Sequence, residues 1–234
     1  MVATIRKPNA FTLVELLTVI IIIALLAAIL LPTVTSALKT GYTAQSKTRV
    51  ESLSRGAELY KKEYDLYPGQ STALMGFLNA QTYSGSQVLA ACMYNYDVAN
   101  ASPVPKGGFD TYKDEFLQSL QVSAGTNPRP RVLTDGFPPG KAWAILYYPS
   151  VPGEDPTSVL THYKYDHNKV HTNFKPVNDS ADEATQKNVF STAGGGFVVD
   201  TRFSPARPYR ASEFLIIAPG ADRKYFTSDD IKNF

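Results

Sequence analysis

The sequence predicts an α+β chain: a long N-terminal helix, then a head built on a small antiparallel β-sheet, with an enlarged middle region. Three observations predict it. Residues 10–32 are almost uniformly apolar. Val50, Leu53, Ala57, Tyr60 and Tyr64 then recur at steps of three and four, which is one stripe of a helix. After about residue 140 the pattern shortens to apolar and aromatic runs bounded by turn residues, the signature of strands.

The elements divide as follows. Residues 1–10 are a leader carrying Arg6 and Lys7 and no acid. Residues 11–31 are 21 positions long, about 31 Å of helix, enough for one bilayer core. The basic residues ahead of this span orient it with the N-terminus on the cytoplasmic side and the rest outside. Glu15 sits inside its first turn, where a charge in lipid costs a few kcal/mol and calls for a partner. Residues 32–66 form an amphipathic stem, with Glu51–Arg55 and Glu58–Lys62 spaced as favourable helical pairs. Pro32 is expected to kink or locally open the helix, and Gly41 and Gly56 weaken it or mark close packing. Residues 67–234 form the head, opened by Leu66-Tyr67-Pro68-Gly69, which cannot continue a helix.

Within the head, residues 72–80, 87–96 and 109–120 read as short helices, and 101–108 and 125–140 as loops rich in Pro, Gly and Asn. Strands are expected over 142–148, 159–165, 169–174, 197–202 and 213–218, with Asp166-His167-Asn168 as a hairpin turn.

Composition excludes several function classes. The formal charge is +2, but the leader holds two of the 23 basic residues, so the remainder has 23 − 2 = 21 basic against 21 acidic side chains. Nothing global argues for nucleic acid. Lys39, Lys47, Arg49, Arg55, Lys61 and Lys62 lie along the stem, but acids interleave them as on a solvated helix face. Cys92 is the single cysteine, which rules out an internal disulfide and a cysteine zinc site. His162, His167 and His171 cluster near Asp166, a possible zinc or copper set, but strand alternation puts His162 on the opposite face from the other two. Gly194-Gly195-Gly196 lacks the Lys and Ser/Thr of a phosphate loop, and no nucleophile–histidine–acid arrangement is visible. The chain reads as no enzyme.

A short basic leader, Phe11, Glu15 five residues into the apolar run and then Pro32 resemble the N-terminus of type IV prepilins and type II secretion pseudopilins. The resemblance covers residues 6–68 and 213–234 well. It implies the pilin fold, cleavage between Ala10 and Phe11 by a prepilin peptidase, and N-methylation of Phe11. It also implies a single-pass inner-membrane protein with a periplasmic head, polymerised through its helix with copies of itself or other pseudopilins on a secretion or pilus assembly platform. Glu15 and Pro32 are its assembly residues. One departure is Ala10, where prepilins mostly carry Gly. The rival processing route is an ordinary signal peptide cut after Ala37; the length of the apolar run and Glu15 within it count against that route. The head normally found in such proteins is shorter, which makes residues 71–140 an insertion.

Gly220-Ala221-Asp222-Arg223-Lys224-Tyr225-Phe226-Thr227-Ser228-Asp229-Asp230-Ile231 resembles the C-terminal G-x-D-G-x-x-G-T-x-D-D-I loop of major pseudopilins, which binds calcium. Asp222, Asp229 and Asp230 match its acidic positions and are the Ca²⁺ ligands it implies. Arg223 and Phe226 replace two glycines. The resemblance as a whole implies a filament subunit; the alternative is a minor pilin-like binding module whose head recognises a surface, an exported substrate or DNA. A monomeric membrane-anchored exported protein is a third reading.

Overall fold

A computed structural model describes residues 12–70, 84–94, 117–118, 132–138, 142–151, 153, 162–168, 183–191 and 196–234. The first element is helix α1 (Leu13–Tyr64), 52 residues long. It runs unbroken through Pro32, so the opening expected there does not interrupt it. Proline removes one donor, leaving the Ala28 carbonyl without its usual partner. Nearby threonine hydroxyls fold back on the helix instead of competing with it: Thr33 donates to Leu30 and Thr35 to Pro32. The helix stops at Asp65, which takes a left-handed φ of 61° and donates its N–H to the Lys61 carbonyl at 2.7 Å.

The chain forms two compact units, Met1–Gly41 and Tyr42–Phe234. In the first, every described side chain except half-buried Ala27 is exposed. In the second, the expected stripe is the buried face: Val50, Leu53, Ala57 and Tyr60 are buried, Tyr64 packs beside them, and Gly56 is buried as well. At Gly41 an added Cβ would meet nothing within 4 Å, so close packing is not why glycine stands there.

The head holds helices α2 (Gly85–Tyr94) and α3 (Glu183–Ser191) and a 3-10 helix (Tyr165–His167). Its strands are β1 (Leu117–Gln118), β2 (Val132–Leu133), β3 (Leu146–Pro149), β4 (Val199–Asp200), β5 (Arg207–Pro208), β6 (Phe214–Ala218) and β7 (Ile231–Lys232). Among the described residues these pair into three antiparallel sheets, β1-β2, β3-β6-β7 and β4-β5. In the three-stranded sheet β3 and β6 are buried on both faces, and strand alternation sorts their side chains between two cores. Ile145, Tyr147, Phe214, Ile216 and Ala218 join the α1 stripe and α2. Leu146, Tyr148, Leu215 and Ile217 join Phe190 of α3, Tyr163, Tyr165, Val198, Tyr225 and Phe226.

Several expectations need correction. Residues 117–118, assigned to a helix, pair with β2, and β2 lies within the stretch read as a loop. Residues 162–168 are bends and a 3-10 helix rather than a hairpin, because His162, Tyr163, Tyr165, His167 and Asn168 all turn inward as no alternating strand could. Helix α3 has no counterpart among the expected elements, being nine residues long and mostly polar. The helix expected at 87–96 is α2, and it supplies buried Val88, Leu89, Ala90, Cys92 and Met93 to the first core. The expected helix at 72–80 and strand at 169–174 lie outside the described residues.

Candidate functional site

The candidate residues named from the sequence fall in two described places, the start of α1 and the loop between β6 and β7. At the first, Glu15 is the third residue of α1 and Thr12 stands just ahead of it. The Glu15 carboxylate accepts from the Thr12 N–H at 2.9 Å and from its hydroxyl at 2.8 Å, while the Glu15 N–H donates to the same hydroxyl oxygen at 3.2 Å. This is a capping box, and its signal, Thr-x-x-Glu before an apolar run, was present in the sequence and overlooked. The box satisfies two donors at the helix start and sets the negative charge against the positive end of the helix dipole. Glu15 therefore has a local partner within its own chain. Ala10 and Phe11 fall outside the described residues; Pro32 lies mid-helix.

Beyond the cap, the large side chains of Leu13 through Leu38 stand exposed along α1. The helix is long and apolar enough to cross a membrane by length and composition. An apolar surface of this extent is far beyond the patches that monomers in water tolerate.

The C-terminal loop has no glycine at two positions where the pattern it resembles has one. Arg223 and Phe226 take φ of 62° and 64°, the left-handed region that glycine adopts freely. Holding a non-glycine residue there costs about 1–2 kcal/mol each. At Phe226 the offset is visible, since its ring is buried against Phe190 and Phe197 at centroid distances of 5.2 and 5.5 Å. Gly220 is required for another reason: a Cβ there would lie 2.3 Å from the Asp229 carbonyl oxygen.

The three loop aspartates each face donors of the loop itself. Asp222 accepts the Lys224 N–H at 2.8 Å. Asp229 accepts the Asp222 N–H at 3.0 Å on one oxygen and the Thr227 hydroxyl at 2.6 Å on the other. Asp230 accepts the Phe226 N–H at 2.7 Å, and burial pushes its carboxyl up to about 7 against the pull of that bond. Among the described residues no group of three His, Cys, Asp or Glu side chains is placed to hold a metal ion. That covers these aspartates and also His162 and His167, both buried; His171 lies outside the described residues. Calcium takes six to eight oxygens converging on one point, whereas each of these carboxylates is turned to a backbone donor of the loop itself.

The remaining polar cluster is structural. Buried Asn168 donates to the Tyr147 carbonyl at 2.7 Å and accepts the Ser86 N–H at 3.1 Å, while the Ser86 hydroxyl donates to the Ile145 carbonyl at 2.7 Å. It ties the 3-10 helix and α2 to β3.

Comparison with known proteins agrees with this geometry. The model of the prokaryotic N-terminal methylation motif matches residues 5–31. The type II secretion system core protein G of Pseudomonas aeruginosa is 24% identical over 123 residues, covering 53% of this chain and 72% of that protein. No solved structure matches. An apolar N-terminal helix carrying the methylation motif, followed by small antiparallel sheets, makes this chain similar to the type IV pilin-like proteins, the type II secretion pseudopilins among them.

Proposed function

We propose that this chain is a structural subunit of a type II secretion or related type IV filament system, made as a precursor and anchored in the inner membrane by one span with its head outside the cytoplasm. A prepilin peptidase cuts it between Ala10 and Phe11 and methylates the new amine of Phe11. The processed chain then polymerises through α1 with copies of itself or other pseudopilins on an assembly platform. The observation that carries this reading is the exposed apolar length of α1, whose first part lies within the matched methylation motif. Such a surface needs lipid first and neighbouring helices later. The work of the subunit is mechanical: a growing polymer displaces cargo, and the head catalyses nothing.

Glu15 has a defined part in this. Cleavage creates a free amine at Phe11, next to Thr12, whose N–H and hydroxyl already bind Glu15. In a bundle of such helices the carboxylate can meet the amine of a neighbouring subunit, so that each docking event neutralises two charges that lipid disfavours. Intact-mass and N-terminal mass spectrometry of the native protein tests the processing step. A chain beginning at methylated Phe11 supports it, whereas one beginning near Leu38 would establish an ordinary secretory signal.

A further inference from the structure

In the C-terminal loop Arg223 stands where the pattern it resembles has a glycine. Its side chain leaves the loop and its guanidinium pairs at 2.5 Å with Asp135, 88 positions earlier in the chain, in the connection between β2 and β3. The Asp135 side chain is fully buried. Its other oxygen accepts the N–H groups of Phe137 and Trp143, both at 3.2 Å. The guanidinium also lies over the Phe137 ring, 3.9 Å from its centroid. Behind this pair, Arg49 of α1 donates to the carbonyls of Thr134 and Asp135. Beside it, the Tyr225 hydroxyl donates to the Ala144 carbonyl at 2.6 Å.

We infer that the loop is closed by the chain's own cation: the Arg223–Asp135 pair fastens residues 220–230 to the β2–β3 connection, and closure does not depend on a divalent ion. The physical case has three parts. A buried carboxylate requires a compensating charge, and removing that charge from a buried pair is far more damaging than losing a surface pair. A guanidinium delivers its charge in a fixed plane that can stack on a ring while it binds a carboxylate, and Arg223 does both. Finally, the left-handed φ of Arg223 is a standing cost that a glycine would remove, so a positive charge at this position must return more than it costs. A metal ion closes a loop by drawing its carboxylates inward to one point; this pair closes it by anchoring the loop outward to another segment. The two arrangements use different aspartates, which lets experiment separate them.

The test is thermal unfolding of the full-length chain in detergent micelles, followed through Trp143, the single tryptophan, which packs against Tyr225. Wild type is expected to unfold at the same temperature in millimolar Ca²⁺ and in chelator. Arg223→Gly should unfold about 6 °C or more lower, although it relaxes the backbone. Arg223→Lys should recover part of that loss, because it restores the charge without the planar fork. Asp135→Asn, nearly isosteric, should make a further Arg223→Gly change almost harmless, since the two residues act as one unit. A wild-type midpoint that falls in chelator and returns with Ca²⁺ would overturn the inference without the need of any variant. So would an Arg223→Gly chain at least as stable as wild type.

Discussion

Phe226 offers a direct test of whether the C-terminal loop is built as described, because its backbone and its side chain pull in opposite directions. Its ring is buried in the second core, and its φ is 64°. Truncation to alanine removes the ring and keeps the strained backbone, so Phe226→Ala should cost about 3–5 kcal/mol. Truncation to glycine loses the same packing but releases about 1–2 kcal/mol of left-handed strain. Glycine also gives the unfolded chain more freedom, which takes back about 0.4–1 kcal/mol. The net expectation is that Phe226→Gly is more stable than Phe226→Ala by roughly 1 kcal/mol, about 2–4 °C in midpoint for a head of this size. At ordinary positions the order is reversed, with glycine the weaker. Urea denaturation of both variants, read through Trp143, provides the comparison. If alanine proved the more stable, the left-handed backbone at Phe226 would be refuted. If both matched wild type, the ring would not be part of the core.

The remaining predictions concern the rest of the head and the start of α1. Gly85→Ala places a Cβ 2.0 Å from the Tyr147 carbonyl oxygen, a backbone clash that should cost about 2 kcal/mol or more, whereas Gly41→Ala meets nothing and should stabilise its helix by about 0.5–1 kcal/mol; paired denaturation curves check the contrast. Burial holds the His167 imidazole down at about 4, from an ordinary 6.5, so the unfolded chain binds the extra proton between those values and stability falls as pH drops through that window. The full loss is about 3 kcal/mol, absent in His167→Gln, and an imidazole NMR signal titrating near its ordinary value would disprove it. Glu15→Ala should leave insertion and cleavage intact but sharply reduce polymer recovered by sedimentation, and normal assembly of the variant would rule out the charge-pair mechanism.

Helix α1 was legible from the residues alone, for a physical reason. A helix in lipid or on one face of a core is specified by local periodicity, so the apolar run and the stripe from Val50 to Tyr64 declared both its length and its buried side. The strands at 146–149 and 214–218 were legible for a similar reason: they are buried on both faces and read as continuous apolar runs. The capping box at Thr12 and Glu15 was equally local and needed only to be looked for. What the residues could not declare were the features made by contacts between distant segments. Two-residue strands such as β1 and β2 exist only because a partner is present, and no periodicity fits in so short a stretch. The turn at 162–168 is decided by five side chains finding places in cores that other segments build. The departure of the C-terminal loop from its glycines looked like damage in the sequence. Only the tertiary structure places Phe226 among the rings of α3 and the β4 hairpin, and Arg223 on a buried aspartate, because burial and charge compensation are properties of the assembled core and not of the segment that supplies the side chain.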